Sequence, residues 1–156
     1  AYQAESGPWR DIYLTGAQEL RNGSIDVPVL QRPRLEVARG MTLGQIFDFL
    51  AVKVDGNKAI KLSPMLVHWS FTDTGETAQL ELSNGTLHSK IVTSSESSEI
   101  SLRSSRNVLE ELISTEYSLL QAIDEERIEV QGETEKILQF WETLTNFPLF
   151  WPIIEP

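Results

Sequence analysis

Catalysis needs titratable or nucleophilic side chains held in one place, and this 156-residue sequence offers few candidates. Cysteine is absent, which removes thiolate ligands, cysteine nucleophiles and disulfides together and leaves the redox compartment open. The two histidines, His68 and His88, stand alone in the strand-like stretches "MLVHWSF" and "TLHSKIV". A catalytic zinc needs three protein ligands and an open position in one place, so these two read as solvated or hydrogen-bonded strand residues. Neighbouring carboxylates occur in "EEL" (110–112), "DEER" (124–127) and "QGETE" (131–135). On helices and turns such runs are ordinarily solvated faces, and no apolar pocket is evident to raise one of their pKa values. The Ser-rich "TSSESSE" (93–99) has no base or orienting group arranged beside it and reads as a turn. Neither G-x-G-x-x-G nor the P-loop pattern occurs, which argues against a nucleotide site. No catalytic and no metal-binding residue is assigned.

The apolar residues carry the stronger signal. Phe47, Leu50, Trp69, Phe71, Ile113, Trp141 and Leu144 recur at strand and helix spacing, and the chain closes on "TNFPLFWPIIEP", which adds Phe147 and Phe150. Spacing alone leaves two readings open, a filled core, which is the ordinary one, or the wall of a cavity for an apolar ligand. Left in water, the closing stretch would form an apolar patch of the kind soluble monomers avoid. Pro148 and Pro152 stop it from continuing a helix, so it is expected to lie as an extended strap over a hydrophobic surface.

Charge excludes one class of partner. The formal net charge is −10, and nucleic-acid binding relies on Lys and Arg neutralising phosphates, so nucleic acid is not expected. No apolar run reaches the ~20 residues that a membrane-spanning helix needs, and no secretory leader pattern opens the sequence.

These residues must be positioned by regular elements. "ESGPWRDIYLTGAQELRNG" has Ser6 to cap a helix, Pro8 in its first turn and Gly23 past its end, with an incomplete apolar stripe lacking an obvious partner. "SIDVPVLQRPRLEVARG" follows with two prolines and Arg32, Arg34 and Arg39, and is read as an extended linker over 24–40. Thr42 and Gln45 have capping-box spacing before Leu43, Ile46, Phe47 and Leu50. Met65, Val67, Trp69 and Phe71 then alternate as a strand, Asp73-Thr74-Gly75 turns it, and Ala78, Leu80 and Leu82 alternate in a second strand. Asn84-Gly85 is the strongest short hairpin signal. Together these spacings predict a β-meander, with Ile100 and Leu102 on a fourth strand. A helix capped by Asn107 and Glu110, a second helix through Leu119, Leu120 and Ile123, a short edge strand "RIEVQGE" and a last helix through Ile137, Leu138, Trp141 and Leu144 follow. The predicted architecture is α+β, a mostly antiparallel five-stranded sheet with helices on one face.

Three separated stretches, "VHWSFTDTGETAQLELSNGTLHS", "AI…IEVQG" and "FPLFWPIIEP", resemble the C-terminal domain of bacterial alkyl sulfatases, which has a sterol carrier protein-like fold. "SGPWRDIYLTGAQELRNG" resembles the end of the helical dimerisation domain preceding it. The resemblance implies three segments: residues 1–23 from the dimerisation domain, a linker at 24–40, and the sterol carrier-like domain at 41–156. It implies a parent enzyme, a homodimer, that hydrolyses long-chain alkyl sulfates at two zinc ions in a metallo-β-lactamase-type domain. The His-x-His-x-Asp-His run of that domain is absent here, so this chain is expected to be a non-catalytic fragment holding no cofactor. Its implied partners are a long-chain alkyl sulfate, a fatty alcohol or a similar aliphatic ligand, and the catalytic and dimerisation domains of the same protein. A periplasmic or secreted bacterial location is implied, with the cytoplasm still open.

Sterol carrier-like folds hold a tunnel between sheet and helices, which makes Phe47, Leu50, Trp69, Phe71, Ile113, Trp141, Leu144, Phe147 and Phe150 the implied wall for the aliphatic tail. The strap would then close a cavity between helix and sheet. A structural or interaction domain with a filled core, or a free-standing lipid carrier, are the alternatives. The net charge should repel a sulfate headgroup unless Arg32, Arg34 and Arg39 gather locally.

Overall fold

Period-two alternation of large apolar residues becomes a five-stranded sheet in the computed structural model, which describes residues 1–23, 35–93, 98–114, 117–145 and 153–154. The strands are β1 (Met65–Phe71), β2 (Thr77–Ser83), β3 (Thr86–Val92), β4 (Ile100–Ser104) and β5 (Ile128–Gln131), in the spatial order β3-β2-β1-β4-β5. Cross-strand partners share a face, and the register sets Met65 opposite Leu82, Val67 opposite Leu80 and Trp69 opposite Ala78. On the other side of β1, Val67 faces Ile100 and Trp69 faces Leu102. All of these side chains are buried, so one face of the sheet is the core face. Asn84 and Gly85 both have positive φ, 51° and 75°, as a two-residue hairpin whose twist matches its strands requires.

The meander ends where the sequence loses its hairpin signals. β4 runs parallel to β1, and every other pair is antiparallel. A parallel neighbour cannot be reached by a tight turn, and the Ser-rich stretch 93–99 is the connection that takes its place.

The helices are α1 (Gly7–Asn22), α2 (Leu35–Gly40), α3 (Leu43–Lys53), α4 (Gly56–Ala59), α5 (Arg106–Ser114), α6 (Leu119–Asp124) and α7 (Thr134–Trp141). Leu43, Ile46, Phe47 and Leu50 of α3, Val108, Leu109, Leu112 and Ile113 of α5, Leu119 and Ala122 of α6, and Ile137 and Phe140 of α7 join the sheet residues in one buried cluster. The expected capping box opens α3, with Gln45 N–H donating to the Thr42 hydroxyl and Thr42 N–H to the Gln45 side chain. An unforeseen second box, Ser118 with Gln121, opens α6.

The chain divides into two units, residues 1–31 with 147–156, and residues 32–146. One expectation is corrected. The linker assigned to 24–40 does not extend through 35–40, because those residues form α2, which packs on α5 and buries Ala38 completely. The prolines and arginines suggested an irregular strand of chain, but tertiary burial of one small residue stabilises a helix too short to stand on its own. The end of the chain groups with residues 1–31 rather than with the sheet. Within that unit, Ile153 and Ile154 donate their amides to Glu19 of α1.

The cap of α5 is also corrected. Asn107 and Glu110 were expected to cap it, but the helix starts one residue earlier, and Arg106 N–H donates to both carboxylate oxygens of Asp73, at 2.9 and 3.1 Å. Asp73 lies in the β1–β2 turn, so the turn and the helix are fastened together by a contact 33 residues apart in the chain. Asp73→Ala is expected to cost about 1–2 kcal/mol, the usual loss for removing a helix N-cap. Urea denaturation would show it as a lower midpoint with an unchanged slope.

Candidate ligand-binding site

Four of the aromatic residues singled out in the sequence come together. α3 presents Phe47 one turn after its capped start, β1 presents Trp69 and Phe71 two residues apart on the core face, and α7 presents Trp141 from its last turn. Trp69 stacks on Phe71, with centroids 5.6 Å apart and planes at 17°. Phe47 tilts against both, at 6.1 and 6.4 Å, and Trp141 meets Trp69 edge-on at 6.3 Å. Such offset and edge-to-face pairs add about 0.5–1.5 kcal/mol each beyond burial. Phe47, Trp69 and Phe71 are at most 1% exposed, whereas Trp141 is half-buried at the edge of the cluster.

Leu50 and Ile113 are buried members of the same core. Leu144 is half-buried and lies just beyond α7, where a bridge to Val54 ties it to the end of α3. Asp55 N–H donates to Thr143 O at 2.9 Å and Thr145 N–H to Lys53 O at 2.7 Å, which fixes the separation of the two helix ends. Phe147 and Phe150 fall outside the described residues.

One polar group sits inside this apolar setting. Trp69 Nε1–H donates to the Ser104 hydroxyl at 2.9 Å, with both residues buried. Sequence reasoning passed over Ser104, although its position was readable, because it follows Ile100 and Leu102 on the core-facing alternation of β4. A serine in an apolar alternation needs a partner, since burying an unpaired hydroxyl is costly.

Charges gather elsewhere. Arg106 Nε donates to Glu110 at 3.0 Å, its Nη2 donates to Met41 O, and Arg39 lies 3.9 Å from the other Glu110 oxygen. Arg39 therefore faces a carboxylate of its own chain, while Arg32 and Arg34 fall outside the described residues. Arg127 donates to Glu111 at 2.8 Å. That hydrogen bond, helped by the guanidinium charge, holds the Glu111 carboxyl below its ordinary pKa against the opposing pull of burial, and raises that of Arg127. A separate open cleft of about 470 Å³ is lined mainly by polar side chains, among them Lys61, Ser63, Glu133, Glu135 and Lys136, a poor match to a hydrocarbon.

The histidines do not fit a metal site. His68 is buried on β1 on the face away from the aromatic cluster, with Nδ1 lacking a hydrogen-bond partner. His88 is exposed on β3, opposite Glu81. Among the described residues no three His, Asp or Glu side chains converge to hold a metal ion.

A family model described as "Alkyl sulfatase C-terminal" matches residues 33–156. The linear primary-alkylsulfatase of Pseudomonas sp is 31% identical over 155 residues, which are 99% of this chain and 23% of that protein. An (R)-specific secondary-alkylsulfatase, also of Pseudomonas sp, is 30% identical over 156 residues, with 99% of this chain and 23% of the relative covered. Among solved structures, the stereoselective inverting sec-alkylsulfatase Pisa1 from Pseudomonas sp. superposes with a TM-score of 0.78 at 28% identity, over 99% of this chain and 24% of that one. The chain thus spans 23% of the length of the curated relatives it matches.

Proposed function

This chain belongs to the alkyl sulfatase C-terminal family, and on that premise we propose that it gathers the aliphatic tail of an alkyl sulfate. The sulfate ester would be presented to a zinc-dependent, metallo-β-lactamase-type domain elsewhere in the same protein. Two relatives that match nearly the whole chain are alkylsulfatases, which supports an ester with a hydrocarbon part as the substrate. The observation that carries the proposal is the wall made by Phe47, Trp69 and Phe71, with Trp141 and Leu144 half-buried at its edge. A wall of this kind offers a hydrocarbon chain area without polar competition, and its half-buried members are the ones a ligand can reach. The part proposed for this chain in the reaction is binding and orientation, and no step of hydrolysis is assigned to its side chains.

A filled core is the second reading, favoured by the ring separations themselves. Phe47, Trp69 and Phe71 already touch one another and are closed to solvent. Calorimetry separates the two readings. A dodecyl tail taken out of water gains at most ~9–10 kcal/mol at about 0.8 kcal/mol per methylene, and the cost of immobilising the ligand reduces this to about micromolar affinity. The tail must supply nearly all of it, since a chain of net charge −10 repels a sulfate. Dodecanol is therefore expected to bind at least as well as dodecyl sulfate, both below their aggregation limits, and Trp141→Ala is expected to weaken both. Binding of neither ligand would leave the filled core. A preference for the sulfate that salt abolishes would mean headgroup recognition and a different mechanism.

A further inference from the structure

Helix α1 lies ahead of the family-matched residues 33–156, yet it holds their end. Within the unit of residues 1–31 and 147–156, the backbone amides of Ile153 and Ile154 donate to one oxygen of Glu19, at 2.7 and 3.3 Å. Hydrogen bonds to an ionised acceptor are roughly twice as strong as neutral ones. Next to this carboxylate, Gly16 is the buried residue of α1, and a Cβ placed there would stand 3.0 Å from Cδ1 and 3.5 Å from Cγ1 of Ile154.

The position of Gly16 gives the contact its meaning. Trp9, Ile12, Tyr13, Gly16 and Leu20 fall at i, i+3, i+4, i+7 and i+11, one stripe of the helix. The four large residues of that stripe are half or more exposed, and the gap between them is where Ile154 enters. Glycine within a helix weakens it relative to alanine, so a glycine at the centre of an apolar stripe is a local conflict. A socket for a branched side chain resolves it. Glu19 flanks the same stripe, placed to take the two amides that accompany the side chain. In the sequence, Pro152 has no N–H, so Ile153 and Ile154 supply the first two consecutive amides after it.

We propose that Gly16 and Glu19 form a receptor on α1 for the C-terminal segment, a socket for Ile154 beside one acceptor for two consecutive amides. The family-matched residues then depend on α1 to hold their apolar end, whether or not the aromatic cluster binds an aliphatic chain. The kind of partner the receptor fits is an apolar segment with two consecutive free N–H groups, and residues 153–154 of this chain are that segment.

Hydrogen exchange of the full chain, resolved to the Ile153 and Ile154 amides, tests this. In the unaltered chain both amides should exchange roughly ten- to a hundredfold slower than free amides, the factor that a hydrogen bond to a charged group supplies. Glu19→Ala should abolish that protection while the β1 and β4 amides keep theirs. Gly16→Leu guards against simple loss of α1, because leucine is a stronger helix former than glycine. It should slow exchange within α1 and speed it at Ile153 and Ile154, opposite signs that a merely weakened helix would not give. Unprotected Ile153 and Ile154 amides in the unaltered chain, or protection that survives both substitutions, would overturn the proposal.

Discussion

Trp69→Ala is expected to lower the unfolding free energy by about 3–5 kcal/mol, the range for deleting a large aromatic side chain from a packed core. Trp69 is 1% exposed and its ring meets Phe47, Phe71 and Trp141, so three partners lose contact at once. The Ser104 hydroxyl also loses its indole donor. At this chain length each kcal/mol moves the midpoint by about 2–4 °C, so thermal unfolding should drop by roughly 10 °C. Trp69→Phe separates the two contributions. It keeps much of the ring contact while removing the N–H to Ser104 and part of the ring volume, so at least about 1–2 kcal/mol should be lost. If Trp69→Ala cost less than Trp69→Phe, the cluster would have collapsed around the deletion, and the rings would not be the tight arrangement described.

The same cluster sorts stability from binding. Trp141 is half-buried and touches Trp69 by its edge, so its removal exposes less core than removal of Trp69. Under the tail-gathering proposal, Trp141→Ala weakens ligand binding at modest cost to the fold, while Trp69→Ala weakens the fold first. A filled core predicts only the second effect.

Local chemistry was legible in the sequence, and distant chemistry was not. Thr42 and Gln45 satisfy helix amides within four residues, and Asn84-Gly85 carries the positive φ of its turn, so the start of α3 and the β2–β3 hairpin follow from neighbours alone. The alternation of Met65, Val67, Trp69 and Phe71 likewise names its own buried face. Asp73 is different, because it caps a helix 33 residues away, and nothing in "TDTGE" says which amide it will meet. Helix α2 was missed because its stability comes from packing on α5, which the sequence around Ala38 does not state. The parallel placement of β4 beside β1 depends on where the 93–99 connection lands, a long-range outcome. For the candidate site, periodicity brought Phe47, Trp69, Phe71 and Trp141 to one face. Residue types that line a core also line a tunnel, so spacing was silent on which of the two they form.

Gly132→Ala should be at least as damaging as any core truncation of similar size, through two independent causes. Gly132 follows β5 with φ +104°, a conformation that an L side chain rarely adopts, and strain of that kind costs of order 1–3 kcal/mol. A Cβ at this position would also stand 2.2 Å from Glu99 O, 3.2 Å from Glu99 C and 3.2 Å from Ile100 Cα. These are backbone atoms at the start of β4, so no rotamer change can relieve the clash. The β4–β5 pairing, from Ser101 opposite Gln131 to Ser104 opposite Ile128, would have to shift. A loss of more than about 3 kcal/mol is expected, since strain and steric clash add when neither relieves the other. Gly44→Ala in α3 supplies the control, because nothing lies within 4 Å of its added Cβ and its φ is not positive. There the gain in helix propensity should stabilise the protein by about 0.5–1 kcal/mol. Chemical denaturation of the two variants should therefore give midpoints on opposite sides of the unaltered protein. A Gly132→Ala midpoint within error of the unaltered protein would mean that the β5–α7 turn does not hold Gly132 against Glu99.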